Sequence, residues 1–151
     1  VLEDYYLEHI VLCLSDGLLA QCGIDLDTYR GELASGNLSA LRGRPFVLGS
    51  AEDIGGGIGR GLLRSSGVSP VSKATSENVE TLLALCEQGV GACFCPENLL
   101  HTALSPEQLA HLHILPLCPE ASYPICFGYL SRSYPWSVLS EFIRIAREQT
   151  A

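Results

Sequence analysis

The sequence predicts an α/β fold with a mostly parallel sheet, and two observations carry that prediction. Short runs of wholly apolar residues end in turn-forming residues, as buried strands do. Between them lie longer segments whose apolar residues recur at helical spacing. Strands and helices that alternate along a chain form layers in which helices cover a sheet. The 151 residues suffice for one compact domain or two small lobes.

The elements of the first half follow from local signals. Apolar runs bounded by serine, aspartate or glycine predict strands, and apolar residues at helical spacing predict helices. The glycine-rich stretch from Glu52 to Gly61 predicts a flexible loop, followed by a helix through Leu62 and Leu63 to Gly67. The other predicted elements are a strand at Ile10–Leu14, a helix at Asp25–Leu33, a helical turn at Ser39–Leu41 stopped by Gly43, a strand at Pro45–Leu48, and a loop or strand at Val68–Lys73.

The strongest local signal is a helix that begins near Ser76. Serine caps helix N-termini well, and Glu77 would then place a negative charge in the first turn. Gly89 supplies the stop, and a third buried strand follows from Val90 to Cys95, which Pro96 closes. The apolar stripe of this helix consists of Val79, Leu82, Leu83 and Cys86.

The last third of the chain continues the alternation. Ser105-Pro106-Glu107-Gln108 has the spacing of a capping box, with proline at the first helical position. The other predicted elements are a helix at Glu97–Leu104, strands at His113–Leu117 and Ile125–Leu130, and a helix after Tyr134-Pro135 with Val138, Leu139, Phe142 and Ile145 on one face. Ligands bind at the carboxyl ends of parallel strands, so the segments after Leu48 and Cys95 are candidate ligand sites.

Composition excludes several classes of protein. Hydrophobic residues make up 47% of the chain and charged residues 17%, which rules out a disordered or fibrous polypeptide. With a net charge of −8, the nine basic residues are too few and too dispersed to bind nucleic acid. There is no apolar run of ~18 residues for a membrane span and no signal-peptide pattern. Seven cysteines, most of them in apolar runs, are typical of a reduced, cytoplasmic protein.

Two patterns raise enzymatic alternatives. The run Gly55–Gly61 invites a nucleotide-binding interpretation, but no frame supplies G-x-G-x-x-G. The elements of a metal site are Cys93, Cys95, His101, His111 and His113. Cysteines in buried strands are more often core residues than ligands. Because G-x-S-x-G and H-E-x-x-H are also absent, we expect no enzyme, no catalytic residue, no metal and no cofactor.

Four segments together resemble a known family. Thr75 to Glu97 is similar to the pattern of a serine, a leucine-bearing helix and G-[LV]-G-[IV]-x-x-x-P found in LysR-type transcriptional regulators. Leu38 to Leu48 is similar to their L-x-x-L-x-x-x-P-[FW]-[IV] segment. Ile125 to Ile143 resembles their closing strand, loop and terminal helix, and Leu7 to Leu14 the strand that begins the second lobe. The order of these segments points to the C-terminal part of the effector-binding domain.

The resemblance implies a type II periplasmic-binding-protein-like fold that holds a small-molecule effector in the cleft between two lobes. It implies that residues 16–97 form a complete second lobe, and that residues 1–14 and 110–151 form crossover strands and part of the first. DNA binding would belong to an N-terminal winged helix-turn-helix that is absent here. The resemblance also implies a homo-oligomer formed through the regulatory domain, with the Ile58–Leu63 helix as the candidate surface.

The resemblance places effector contacts after two strands. The Ser50 hydroxyl and the free N–H groups of Ser50 and Ala51 suit a carboxylate or a similar anion. Pro96 would expose carbonyls and ring carbons to the effector, although proline also ends strands for purely structural reasons. The candidate effector-binding residues are Gly49, Ser50, Ala51, Cys95 and Pro96.

Two other functions compete with effector sensing. A solute-binding protein of a transporter would share the fold, but it would need a signal sequence or lipid anchor and would expose the seven thiols to oxidation. An enzyme that uses the Cys and His residues or the glycines is the third alternative.

Overall fold

A computed structural model describes residues 1–131 and 136–150. The elements in these ranges are β1 (Leu2–Ser15), α1 (Asp16–Cys22), α2 (Leu26–Ala34), a 3-10 turn (Ser39–Leu41), β2 (Pro45–Leu48), α3 (Ile54–Ser65), β3 (Val71–Thr75), α4 (Val79–Glu87), β4 (Cys93–Pro96), α5 (Glu97–Ala103), α6 (Pro106–Ala110), β5 (Leu112–Pro116), β6 (Ser122–Gly128) and α7 (Ser137–Thr150). Tertiary contacts divide the chain into a large unit, His9–Ser122, and a small unit, Val1–Glu8 with Tyr123–Ala151.

The strands of the large unit run in both directions. β1 pairs antiparallel with β4 and with β5, so that Cys13 lies opposite both Cys93 and Ile114. β2 pairs in parallel with β3, and a parallel bridge joins Phe46 to Ala92. The expectation of a mostly parallel sheet is therefore wrong for the sheet that contains β1. An apolar run reports burial on both faces of a strand, and burial does not fix strand direction.

The first strand is confirmed and is longer than its apolar run. Ile10 to Leu14 is buried as expected, but the strand extends from Leu2 to Ser15. Ser15 then caps α1, a helix that the sequence did not predict: its side chain accepts a hydrogen bond from the N–H of Leu18, and Gly23, with φ of 63°, ends the helix. The Ser-Asp-Gly segment, which marks the predicted end of the strand, is also the start of this helix.

The glycine-rich stretch is a helix, and the prediction of a flexible loop there is wrong. Asp53 caps α3 by accepting a hydrogen bond from the N–H of Gly56 at 3.0 Å. A Cβ on Gly59 would lie 2.4 Å from the Phe94 ring, and one on Gly56 would lie 2.1 Å from the carbonyl oxygen of Ser50. These glycines let the helix approach its neighbours closely, which outweighs their low helix propensity.

The helix α4 is confirmed, but its cap is not the expected residue. Asn78 is the N-cap, and its side chain accepts a hydrogen bond from the N–H of Thr81 at 2.9 Å. Ser76 accepts one from the N–H of Asn78, so Ser76 and Glu77 precede the cap. Asparagine and serine cap equally well, and sequence alone did not decide between them. Gly89, with φ of 79°, ends the helix as predicted.

The two candidate caps differ in what their removal should do. We expect Asn78→Ala to lower the free energy of unfolding by about 1 kcal/mol, because the first turn of α4 loses its side-chain acceptor. We expect Ser76→Ala to lower it by roughly 0.5 kcal/mol or less, because only an exposed turn hydrogen bond is lost. Urea denaturation followed by circular dichroism measures both. A larger loss for Ser76→Ala would contradict the assignment of the cap.

The later elements largely agree with the sequence. Ser105 and Gln108 form the predicted capping box. In the small unit, β6 pairs with β1, and α7 buries Ile143 while Phe142 stays 58% exposed. The rings of Phe127 and Phe142 pack edge-to-face, with their centroids 5.9 Å apart. The predicted start of the last helix after Tyr134-Pro135 falls outside the described residues.

The core of the large unit centres on β2 and β4. Phe46 has no exposed surface, and its ring stacks on that of Phe94 with centroids 5.9 Å apart. A Cβ on Gly91 would lie 2.7 Å from the backbone of Phe46, so β2 and the chain entering β4 are in direct contact. β2 leads into the loop that begins at Gly49, and β4 leads directly into α5.

Candidate functional site

The loop Gly49–Ala51 leaves the end of β2 and is held by α3. The guanidinium of Arg60 donates from Nη2 to the carbonyl oxygen of Gly49 at 2.9 Å. The carbonyl of Ser50 accepts from the N–H of Asp53 at 3.2 Å, and the Ser50 hydroxyl accepts from the N–H of Glu52 at 3.3 Å. The loop carbonyls therefore face donors of α3 and its cap.

The donors of the same loop are unused. In the part of the chain that the structure describes, the N–H groups of Ser50 and Ala51 have no hydrogen-bond partner. Ser50 is half-buried and Ala51 is exposed, so a ligand can reach them. Two successive N–H groups without partners, beside a hydroxyl, are donors that an anion can use.

The second predicted segment lies at the same edge of the large unit. Because the bridge between Phe46 and Ala92 is parallel, β2 and β4 end on the same side. Ile10 lies opposite Pro96 in the pairing of β1 with β4, and its Cδ1 would be 3.2 Å from a Cβ on Gly55, in the first turn of α3. Pro96 is half-buried. Ile10 thus connects the end of β4 with the first turn of α3, which holds the Gly49–Ala51 loop.

Cys95 differs from the other four candidate residues because it has no exposed surface. Its Sγ lies 3.6 Å from the Sγ of Cys13 inside the core. A ligand that touches this strand end would contact Pro96, while Cys95 packs behind it.

Four thiols form a cluster in this core, made by Cys13, Cys86, Cys93 and Cys95. The Cys86 thiol donates to the carbonyl oxygen of Cys13 at 3.3 Å. Hydrogen bonds with Cys13, Cys86 and Cys95, and then burial, raise the pKa of Cys93 well above its ordinary value. A thiol in this setting stays protonated at neutral pH, and metal ligation and nucleophilic attack both require the thiolate.

Two of the histidines considered as metal ligands contact a carboxylate. His113 lies 2.6 Å from Asp16 through Nε2, and His111 lies 3.6 Å from the same carboxyl group. The hydrogen bond with His113 lowers the pKa of Asp16. Within residues 1–131 and 136–150, no three His, Cys, Asp or Glu side chains are placed to hold a metal ion.

Sequence analysis missed the role of Arg60. It is the only cation in the glycine-rich run, and an isolated arginine among glycines and apolar residues was the available signal.

Part of the proposed oligomer surface is less accessible than expected, because Leu63 of the Ile58–Leu63 segment is buried in its own unit. The Cδ2 atom of Leu62 would lie 3.4 Å from a Cβ on Gly36.

Comparison with protein families gives one match along the chain. The family model described as LysR substrate binding domain matches residues 2–151. Among curated protein sequences, none matches significantly.

Solved structures share the fold at low sequence identity. The regulatory domain of Synechocystis PCC6803 CcmR, in complex with 2-PG, is 12% identical with a TM-score of 0.71, and 99% of this chain aligns with 66% of that chain. The effector binding domain of QuiR in complex with shikimate is 13% identical with a TM-score of 0.65, over 98% of this chain and 65% of that chain. HinK of Pseudomonas aeruginosa, a LysR family transcriptional regulator, is 16% identical with a TM-score of 0.67, over 99% and 48%. The chain thus spans about two thirds of the first two structures and about half of the third.

Proposed function

Because this chain belongs to the LysR substrate binding domain family and has its type II periplasmic-binding-protein-like fold, we propose that it senses a small-molecule effector for a LysR-type transcriptional regulator. Binding would shift the population of conformations of the regulator without chemical change to the effector. The complexes of CcmR with 2-PG and of QuiR with shikimate support a small molecule as the ligand class. The cleft between lobes that the resemblance implies stays a prediction.

The loop Gly49–Ala51 is the observation that carries this proposal. It presents two free N–H groups and a reachable hydroxyl at the end of a buried strand, and this donor set favours an anionic group on the effector. Pro96 supplies a half-buried apolar contact at the same edge. The proposed contacts are therefore Gly49, Ser50, Ala51 and Pro96, with Cys95 as the packing residue behind them.

The remaining parts of the proposal concern the whole regulator. We propose a homo-oligomer in the cytoplasm, with DNA contacted by a separate N-terminal domain, since the net charge of −8 disfavours DNA contact by this chain. The seven cysteines, all within the described residues, form no disulfide, which is consistent with a reducing compartment. In the described residues, no helix is both long and apolar enough to cross a membrane.

Titration with simple carboxylates tests the loop. With acetate, succinate and benzoate as probes, we expect saturable NMR shifts at the amides of Ser50 and Ala51. Ser50→Ala should weaken binding about tenfold, because one charge-assisted hydrogen bond is lost. Ser35→Ala, which changes an exposed turn serine elsewhere in the large unit, is the matched control. Equal affinities for the two variants, or shifts confined to other amides, would refute the assignment of the loop.

A further inference from the structure

We propose that the large unit carries a second ligand site, which takes a small molecule bearing a phosphate or carboxylate group. The site is an open pocket of about 380 Å³ beside the C-terminal half of α3. It is called here the arginine pocket, and it is lined by Arg60, Arg64, Gly67, Val68, Ser69 and Pro70. Its volume falls within the range of small-molecule sites, roughly 300–1,000 Å³.

The positive charge of the arginine pocket is unpaired. Arg60 and Arg64 line it, and Nη2 of Arg42 lies 3.6 Å from the position that a Cβ on Gly67 would occupy. Across the described ranges, no carboxylate lies within 4.0 Å of any of these three guanidinium groups. By contrast, Arg30, Arg144 and Arg147 each pair with an acidic side chain.

This distribution of charge is unusual for so acidic a chain. With 17 acidic and nine basic residues, carboxylates are abundant enough to neutralise every arginine. Arg60 and Arg64 line one pocket and Arg42 lies beside it, all without a carboxylate partner among the described residues, and an oxyanion would supply the missing negative charge. The local charge therefore favours an anionic ligand, although the net charge of the protein opposes anions at long range.

Unused hydrogen-bond donors complete the site. The Nε–H of Arg60 is buried and has no partner, while its Nη2 is held by Gly49. Buried donors are almost always satisfied, so an acceptor is expected at this guanidinium. The hydroxyl and the N–H of Ser69 also have no hydrogen-bond partner among the residues that the structure describes. Val68 and Pro70 add an apolar wall, which favours an organic molecule over a bare ion.

Phosphate titration tests the arginine pocket. Inorganic phosphate is added to the ¹⁵N-labelled protein at constant ionic strength, with phenyl phosphate and acetate as separate arms. We expect saturable shifts at the amides of Gly67, Val68 and Ser69, with phenyl phosphate the tightest of the three. Arg64→Gln should raise the Kd for phosphate at least tenfold, because it removes a charge-assisted hydrogen bond. Arg64 is exposed, so the variant should keep the thermal midpoint of the wild type.

Arg30→Gln is the matched control, because it removes the same charge from another exposed position of the large unit. It should leave the Kd unchanged, and so should Ser50→Ala, which separates this site from the proposed effector loop. Three results would overturn the pocket. One is an equal loss of affinity in Arg30→Gln and Arg64→Gln, which indicates long-range electrostatics. The second is a weaker affinity for phosphate in Ser50→Ala. The third is the absence of saturable shifts at the amides of Gly67, Val68 and Ser69.

Discussion

Gly56→Ala is expected to lower the free energy of unfolding by about 3 kcal/mol and to abolish ligand binding by the Gly49–Ala51 loop. The added Cβ would lie 2.1 Å from the carbonyl oxygen of Ser50 and 3.1 Å from the carbonyl carbon of Gly49. Both contacts are with backbone, which cannot rotate away as a side chain can. The loop or the first turns of α3 must therefore shift, and overpacking of this kind typically costs about 1–3 kcal/mol.

Gly61→Ala is the control for that experiment, because it lies on the same helix and a Cβ there meets nothing within 4 Å. It should raise the free energy of unfolding by about 0.5–1 kcal/mol, since alanine favours a helix more than glycine does. Urea denaturation measures both variants, and carboxylate titration measures the loop. If both variants behave alike, helix propensity alone governs these positions, and the close approach of α3 to the loop is wrong.

Phe46→Ala is expected to lower the free energy of unfolding by about 4 kcal/mol, as large-to-small changes of buried aromatic residues do. Phe46 has no exposed surface, and it connects β2, the bridge to Ala92 and the stacked ring of Phe94. A loss of this size approaches the total stability of many small domains. Phe46→Leu is therefore a milder variant that should still fold, with an expected loss in the free energy of unfolding of roughly 1.5 kcal/mol.

Leu99→Ala provides the comparison for the core variants, because this leucine is 43% exposed on α5 of the same unit. Its expected change is less than about 1 kcal/mol. Denaturant midpoints with constant m-values would show that the variants differ in stability and not in the unfolded state. A similar loss for Leu99→Ala and Phe46→Ala would show that β2 is not at the centre of the core.

Local signals located most of the elements correctly. The buried strands at Ile10–Leu14 and Pro45–Leu48 and the capping box at Ser105 follow from residues close together in the chain, so sequence alone could find them. The family resemblance, carried by Thr75 to Glu97 among other segments, agrees with the family model over residues 2–151. Neither signal depends on knowing which distant residues come into contact.

The errors arose where a distant contact decides the local structure. Gly56 and Gly59 predict a loop by propensity, but Ser50 and Phe94 require glycine at these positions of a helix. The direction of β1 likewise depends on its partners, β4 and β5. Arg60 drew no prediction, because its contact with Gly49 joins residues that local patterns do not relate.

That contact joins the two proposed ligand sites through one guanidinium group. Arg60 lines the arginine pocket, and its Nη2 also donates to the Gly49 carbonyl. We expect an occupant of the pocket that shifts this guanidinium to change the affinity of the Gly49–Ala51 loop for its ligand. By thermodynamic reciprocity, a ligand on the loop then changes the affinity of the pocket by the same factor. Such a regulator would respond to two ligands through one side chain. Arg60→Met would remove the link between the two sites together with part of the positive charge of the pocket.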